Sequence, residues 1–238
     1  MNLLNKFLLN LNLIHKKKFS KKNYFSFSGV DVIIENIFRD KKKGLYIDVG
    51  CQHPIKNSNT YLLHKKGWKG INVDLDANNI DLFNSARPSD ENINIAVSNN
   101  VRETNLYFYH DKSPINTIDK KTSDFQKAKV SEIKKIKTDT LTNIINKSKF
   151  HDYKIDLLSV DVEGHEIQVL EGFDFNLYKP DVIVIEYLDL SSKKLEVKNL
   201  NIENLLKTEL YKFLISKNYI LANYIYSDLV FIKNEFRD

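Results

Sequence analysis

Four titratable side chains follow two apolar runs of the sequence. Asp161, Glu163 and His165 come after "IDLLSV" at spacings of two, and Glu186 closes the run "VIVIE". An apolar strand seldom delivers several ionisable groups to one end unless those groups line a site. Carboxylates and an imidazole can take a proton from a hydroxyl, and the imidazole titrates near neutral pH. We therefore predict these four residues as catalytic, with Glu163 or His165 as the base.

Other interpretations of these residues remain open. Asp161 or Glu163 could cap a helix, and a lone histidine is more often exposed to solvent than catalytic. If the two runs are neighbouring strands, Asp161 and Glu186 face one cleft, where they raise each other's pKa or hold a cation between them. Either arrangement suits removal of a proton from a hydroxyl. We assign no metal site from the sequence.

A second candidate site lies in "LYIDVGCQHPIKNSNT", residues 45–60, where an apolar run ends in Asp48 and Gly50. Asp74 ends the next apolar run, and an acid at about this distance from a glycine loop hydrogen-bonds ribose hydroxyls. NAD needs several glycines and backbone N–H donors around its pyrophosphate, but here Gly50 stands alone and Pro54 has no N–H. S-adenosylmethionine (SAM) carries no phosphate, so the loop favours SAM over NAD. A strand end with a turn glycine is the alternative.

The elements that must position these residues alternate between strands and helices. Buried strands alternating with helices predict a mostly parallel sheet covered on both faces. The last two strands, joined by a two-residue turn at Ser227-Asp228, must be antiparallel. This arrangement is typical of SAM methyltransferases. The predicted strands are 45–49, 70–74, 93–97, 103–110, 132–138, 155–160, 181–187, 219–226 and 228–234, the predicted helices are 29–40, 58–66, 78–85, 139–147, 164–171 and 201–217, and 111–131 is predicted to be a polar, mobile loop.

Ligands of such open sheets bind beyond the carboxyl ends of the strands. Residues just after the strands are therefore candidates for binding the cofactor. A polar stretch, Asn57 to Asn59, could cap the next helix and reach the cofactor or the acceptor. The predicted cofactor-binding residues are Asp48, Gly50, Cys51, Asn59, Asp74, Leu75 and Ala96.

Composition and charge narrow the class of protein. The chain has 238 residues, 42% of them hydrophobic, which suits one α/β domain with a short appendage. Residues 1–45 hold ten Lys and Arg against three Asp and Glu, a net charge of +7, so the remainder carries −2. The body of the protein is therefore not a basic platform for nucleic acid. Cys51 is the single cysteine, which excludes an intramolecular disulfide and favours a cytoplasmic setting.

The basic segment is an N-terminal arm, residues 1–28, ahead of a predicted catalytic domain, residues 29–238. The arm is too short and polar to span a bilayer and lacks a small-residue cleavage site. It could form an interfacial helix on an anionic membrane or a partner. We favour the alternative, in which it is an amphipathic helix packed on its own domain or a frayed terminus. Its apolar residues recur at helical spacing: Leu3, Leu4, Phe7, Leu8, Leu11 and Ile14.

At these motifs the sequence resembles the FkbM-type SAM-dependent methyltransferase family. The similar stretches are "YIDVGCQHPIKNSNTYLLHKKGWKGINVDLDANN", "INIAVSNN", "INT", "IDLLSVDVEGHEIQVLEGFDF" and "VIVIEY". The resemblance implies a Rossmann-like class I SAM methyltransferase fold with seven strands, and methyl transfer to an oxygen of a sugar, a lipid-linked glycan or a secondary metabolite. It also implies a cofactor site at Asp48, Gly50 and Asp74, and an acceptor site around Asp161, Glu163 and His165.

The chain departs from the family pattern at two places in the predicted cofactor site. Members often have a further glycine or small residue where this chain has Cys51-Gln52-His53-Pro54, and Glu-Pro-Asn-Pro where it has Asp74-Leu-Asp76-Ala. The ribose-binding acid is kept and the prolines are not.

The sequence thus predicts a SAM-dependent O-methyltransferase that acts on a small-molecule or glycan acceptor. In this hypothesis Asp161 and Glu186 orient the acceptor, and the loop 111–131 closes over it. Two rival functions remain: a non-catalytic SAM-binding or scaffold module in a glycan-assembly complex, and an NAD-dependent oxidoreductase. Intact acids at every expected strand end disfavour the first, and the lone Gly50 disfavours the second.

Overall fold

In this computed structural model, the described residues are 3, 4, 7, 24–126, 128–189 and 197–237. The strands are β1 (Leu45–Val49), β2 (Lys69–Asp74), β3 (Glu91–Asn94), β4 (Ala96–Val97), β5 (Glu103–Phe108), β6 (Glu132–Asp139), β7 (Leu157–Val160), β8 (Val182–Glu186), β9 (Tyr219–Ile225) and β10 (Asp228–Lys233). The α-helices are α1 (Val30–Ile37), α2 (Tyr61–Lys65), α3 (Ala77–Ala86), α4 (Lys120–Phe125), α5 (Leu141–Lys147), α6 (Glu166–Glu171), α7 (Ile202–Lys207) and α8 (Glu209–Ser216).

Seven strands form the main sheet in the order β3-β2-β1-β7-β8-β10-β9. The neighbours from β3 to β8 are parallel, whereas β10 is antiparallel to both β8 and β9. The prediction of a seven-strand, mostly parallel sheet with an antiparallel C-terminal hairpin is confirmed. A second sheet, β4-β6-β5, lies beside it, with β5 antiparallel to β6.

The central strands are buried on both faces because helices cover both sides of the sheet. Every residue of β1, β7 and β8 is buried, which is why these segments read as continuous apolar runs. One face packs Ile47, Leu158 and Ile183 into the larger core cluster, and the other packs Tyr46 and Trp68 into a smaller one.

The order of the strands places a crevice beside β1. Chain order runs outward from β1 through β2 to β3 on one side, and resumes with β7 on the other. Such a reversal opens a crevice at the carboxyl ends of the strands, where ligands bind in doubly wound sheets. The ends of β1, β2 and β7 therefore position the candidate residues.

The structure corrects several predicted elements. The segment 111–131 is not simply a loop: it contains α4, whose first turn is capped because the Asp119 carboxylate accepts from the N–H of Thr122 at 2.7 Å. The strand predicted at 93–97 is divided between the two sheets. The helix predicted at 201–217 breaks at Thr208, whose extended backbone (ψ 153°) ends α7 and whose hydroxyl caps α8.

The turn of the C-terminal hairpin lies at Tyr226-Ser227, one residue before the predicted position. Asp228 pairs with Ile225 in the strand ladder and therefore belongs to β10. Tyr226 takes a positive φ of 58°, as a tight hairpin turn requires.

Most of the predicted arm lies outside the described residues. Leu3, Leu4 and Phe7 are helical and exposed to solvent. Among the residues that the structure describes, no helix has the length and apolar character needed to cross a bilayer.

Candidate active site

A cleft opens at the carboxyl ends of β1, β2 and β7, with an empty volume of about 690 Å³ including the space at its mouth. It joins both groups of predicted residues. Gly50, Asp74, Leu75, Ala96, Asp161, Glu163 and His165 line it. Four predicted residues are not among those lining the cleft: Asp48, Cys51, Asn59 and Glu186.

Asp74 is fixed at the end of β2 by three donors. Its Oδ2 accepts from the N–H of Gln52 at 2.8 Å, and its Oδ1 accepts from the N–H of Asp76 at 2.8 Å and from Nδ2 of Asn79 at 3.2 Å. A carboxylate offers about four acceptor positions, so one remains for a ligand hydroxyl. Burial raises the pKa of Asp74 to about 6, against these hydrogen bonds, which lower it.

Gly50 is required by the neighbouring strand. Its φ is +77°, and a Cβ at this position would overlap the carbonyl oxygen of Asp161. The end of β1 therefore packs directly on the end of β7, which brings the cofactor loop and the acidic residues together. Gly50 permits this approach because it lacks a side chain and tolerates positive φ.

Buried Arg87 holds the loop that follows Gly50. Its Nε donates to the carbonyl of Pro54 at 3.1 Å, and its two terminal nitrogens donate to Ser58 Oγ and Thr60 Oγ1, both at 2.9 Å. The hydroxyl of Thr60 donates to Asp48 at 2.6 Å. The Arg87 guanidinium thus shapes this loop, which has no glycine after Gly50. Asp48 belongs to the same hydrogen-bond network through Thr60.

Two other predicted cofactor residues also face away from the cleft. Cys51 is buried against Ile80 and Phe83, and Asn59 Nδ2 donates to Ser159 Oγ at 3.3 Å. The predicted capping role of residues 57–59 is wrong, because the N-cap of α2 is Thr60.

The acidic residues form one cluster at the ends of β7 and β8. Asp161, Glu163 and Glu186 each offer a carboxylate oxygen, and these oxygens lie within 4.8 Å of one another. Burial and the neighbouring negative charges raise the pKa of Asp161 to about 7 and that of Glu163 to about 8, and raise the pKa of Glu186 as well. Groups with these pKa values exchange protons near neutral pH.

Glu163 has a strained backbone, with φ of +55°. Such conformations cost about 1–3 kcal/mol and occur often at functional sites. Two contacts from the segment 109–126 hold it in place. The hydroxyl of Thr117 donates to the carbonyl of Glu163 at 2.9 Å, and a Cβ on Gly164 would overlap the Thr122 side chain.

Glu166 is a functional candidate that the sequence analysis missed. It is buried in the first turn of α6, and its Oε1 accepts from the N–H groups of Gly164 at 3.0 Å and Val162 at 3.2 Å. These bonds shape the loop that carries Glu163. Burial raises the pKa of Glu166 to about 7. In the sequence, Glu166 cannot be distinguished from an ordinary acidic residue at the start of a helix. Arg87 was missed for a similar reason, because it resembles an ordinary surface arginine.

His165 is buried and lines the cleft, so the alternative of a solvent-facing side chain is wrong. Its Nε2 lies 3.0 Å from Ser98 Oγ, while Nδ1 is buried without a hydrogen-bond partner among the described residues. Burial lowers the pKa of His165 and so favours the neutral ring. The Oγ of Ser113, also in the cleft wall, is likewise buried and has no partner in the described part of the chain.

The sequence of the chain matches one family of known proteins. The model of the methyltransferase FkbM domain matches residues 48–214, more than half of the chain. In fold, the chain is similar to a TehB-like SAM-dependent methyltransferase from Corynebacterium glutamicum, with 14% identity, 98% of this chain and 100% of that chain covered, and a TM-score of 0.42. No curated protein matches in sequence.

Proposed function

The chain belongs to the FkbM methyltransferase family, and from this premise we propose that it methylates a hydroxyl oxygen of a sugar, a lipid-linked glycan or a secondary metabolite. S-adenosylmethionine is its cofactor. The observation that carries the proposal is that Asp74 and Gly50 line the same cleft as Glu163 and His165.

The residues of the cleft fit this cofactor. Asp74 keeps one free acceptor position for a ribose hydroxyl. Leu75, Ile95, Ala96 and Val97 form an apolar wall suited to a purine ring. The site needs no backbone N–H groups arranged around a pyrophosphate, because S-adenosylmethionine has no pyrophosphate.

The bound cofactor supplies an electrophilic methyl group on a positively charged sulfur. The chain's own residues must hold the acceptor oxygen near that group and remove its proton. Most of the rate can come from positioning alone. In this proposal Glu163 or His165 takes the proton, and Asp161 orients the acceptor from the end of β7. Both candidate bases lie in the cleft wall.

The charge of the site supports a neutral or cationic acceptor. Asp161 and Glu163 line one end of the cleft, and their carboxylates, with that of Glu186 nearby, become negatively charged as the pH rises above their raised pKa values. Without a bound cation, the ionised carboxylates would repel a phosphate or carboxylate close to the reacting hydroxyl, whereas they would accept hydrogen bonds from sugar hydroxyls. The reacting part of the acceptor is therefore expected to be a polyol without an anionic group beside it.

The proposal can be tested with SAM labelled in its methyl group. Full-length protein would be incubated with panels of neutral sugars, amino sugars and hydroxylated metabolites, and methyl transfer would be followed by mass spectrometry. We expect an O-methylated product from at least one neutral acceptor. Glu163→Gln should lower kcat by about 10²–10⁴-fold if Glu163 is the base.

Controls separate catalysis from binding. Glu163→Gln should still bind S-adenosylhomocysteine, because Asp74 and its donors are untouched. Methylation of nitrogen or carbon acceptors alone would contradict the O-methylation proposal. Binding of the cofactor without transfer to any acceptor, and with no effect of Glu163→Gln in cells, would favour the scaffold alternative.

A further inference from the structure

The three carboxylates at the ends of β7 and β8 have the spacing of a cation site. Their nearest oxygens all lie within 4.8 Å of one another. Oxygens on opposite sides of a cation are separated by twice the metal–oxygen distance, about 4.2 Å for Mg²⁺ and about 4.6–5.2 Å for Ca²⁺. Asp161, Glu163 and Glu186 could therefore ligate one ion with small movements of their side chains.

Glu186 gives an independent reason to expect a ligand. The residue is only 8% exposed to solvent, and its Oε2 has no hydrogen-bond partner among the residues that the structure describes. A buried carboxylate oxygen without a donor is costly and calls for an unrecorded partner. Asp161 lies close enough to share a hydrogen bond with Glu186, and a proton or a cation between the two carboxylates would relieve their repulsion.

No positive side chain balances this cluster in the part of the chain that the structure describes. The ion pairs of Asp156 with Lys41 and of Asp181 with Lys154 lie at the opposite, amino ends of β7 and β8. Buried charges are normally paired or bound to a metal. Among the described residues, the cluster is the one group of three or more carboxylates whose oxygens lie this close together.

We propose that Asp161, Glu163 and Glu186 bind one divalent cation of the Mg²⁺ or Mn²⁺ type at the acceptor end of the cleft. Three carboxylates with no sulfur or imidazole ligand select hard cations. Three protein ligands leave three positions of an octahedral shell, which water and an acceptor hydroxyl fill. The placement beside the acceptor rests on the proposed function, whereas the ion site itself does not.

The cation changes the roles of the acids. An acceptor hydroxyl bound to a divalent ion loses its proton more readily, because the ion stabilises the oxyanion. A carboxylate that ligates the ion is a weaker base than a free one, so ligation reduces the part that Glu163 can play as a base. Asp161 and Glu186, which the sequence predicted to orient the acceptor, do so through the ion.

The test is a titration of chelator-treated, full-length protein with MnCl₂ at pH 8, with free Mn²⁺ followed by electron paramagnetic resonance. We expect one Mn²⁺ per chain, displaced by Mg²⁺. Glu186→Gln should weaken binding by about tenfold or more, because the amide keeps the shape and removes the charge. Glu163→Gln, at a partly exposed position, is a second variant in case Glu186→Gln does not fold.

Two controls make the outcome specific. Glu171 lies at the exposed end of α6, outside the cluster, where its carboxylate accepts a hydrogen bond from Asn99. Glu171→Gln should therefore leave the affinity for Mn²⁺ unchanged. Asp74→Ala should no longer bind S-adenosylhomocysteine but should still bind Mn²⁺. Glu186→Gln should still bind S-adenosylhomocysteine but should bind Mn²⁺ more weakly.

Three results would overturn the inference: no stoichiometric Mn²⁺ binding, equal binding by wild type and Glu186→Gln, or methyl transfer that is undiminished in excess chelator. The first would mean that a shared proton partners Glu186. Each would leave the proposed methylation intact if labelled product still forms. Conversely, Mn²⁺ binding without any product would sustain the ion site and count against the proposed function.

Discussion

At the scale of single residues, the ionisation of Asp74 should make the affinity for the cofactor depend on pH. Its pKa is raised to about 6 by burial. A ribose hydroxyl donates to the ionised carboxylate, so affinity should be full above pH 7 and fall as pH drops through 6. We expect the Kd of S-adenosylhomocysteine to rise about tenfold between pH 7 and pH 5, as one proton must then be displaced.

Asp74→Asn is the matched variant for this measurement by calorimetry. It should bind weakly at both pH values and lose the dependence, since the amide does not titrate in this range. A wild-type affinity that stays constant from pH 7 to pH 5 would contradict the role of Asp74.

The sequence could locate some of these residues and not others. Asp74, Asp161 and Glu163 follow apolar runs, and the end of a buried strand is recognisable from periodicity alone. Arg87 and Glu166 could not be found in this way, because their importance depends on partners brought together by folding. Arg87 meets Pro54 and Ser58 across about 30 residues of sequence.

At the scale of elements, the loop after β1 depends on Arg87. The guanidinium is fully buried, binds three residues of the loop and offsets the charge of Asp48. Removing a buried charged partner typically costs about 3–5 kcal/mol, because the remaining groups are left without compensation. We expect Arg87→Met to lower the free energy of unfolding by about this amount in urea denaturation.

Arg87→Lys is the control for charge in that experiment. Lysine keeps the positive charge but has no planar fork to bind Pro54, Ser58 and Thr60 together, so it should recover only part of the loss. A stability of Arg87→Met within about 1 kcal/mol of wild type would show that the loop is held in another way.

Two glycines with similar backbones test the contact between β1 and β7. Gly50 and Gly67 both have positive φ, +77° and +89°, but only at Gly50 would a Cβ meet other atoms. Gly67→Ala should cost about 1–2 kcal/mol from backbone strain alone. Gly50→Ala should cost more and also weaken S-adenosylhomocysteine binding, because the loop must move away from Asp161.

Thermal unfolding and calorimetry of the two variants check this expectation. Equal losses of stability with unchanged ligand affinity would mean that the approach of the two strand ends does not shape the cleft.

Periodicity predicted the strands of the main sheet well and the connections less well. The buried strands are recognisable as continuous apolar runs in the sequence, because the side chains on both of their faces are apolar. The helix α4 was missed because five of its six residues are polar and because its formation depends on the Asp119 cap and on packing against Gly164. The break at Thr208 was missed because an extended threonine between two helices has no periodic signature.

At the scale of the whole molecule, the acids with raised pKa values should make the free energy of unfolding depend on pH. Their raised folded-state pKa values mean that the folded protein holds protons that the unfolded chain releases above about pH 4.5. The free energy of unfolding of metal-free protein should therefore fall as pH rises from 5 to 8.5. The groups concerned are Asp74 and Asp228, with pKa values of about 6, Asp161 and Glu166, about 7, and Glu163, about 8.

Urea denaturation at intervals of one pH unit measures this slope. Glu163→Gln should flatten it between pH 7 and 8.5, because that variant has no carboxylate to ionise there. A stability that rises over this range in wild type would show that the acids are paired in a way the structure does not record.

The most direct test of the account is calorimetric titration of purified protein with S-adenosylhomocysteine, with NADH in parallel, on wild type and Asp74→Ala. The account predicts one S-adenosylhomocysteine per chain with micromolar affinity, loss of that binding in Asp74→Ala, and no binding of NADH. Folded wild-type protein that does not bind S-adenosylhomocysteine, or that binds it equally well without the Asp74 carboxylate, would contradict the assignment of the cleft.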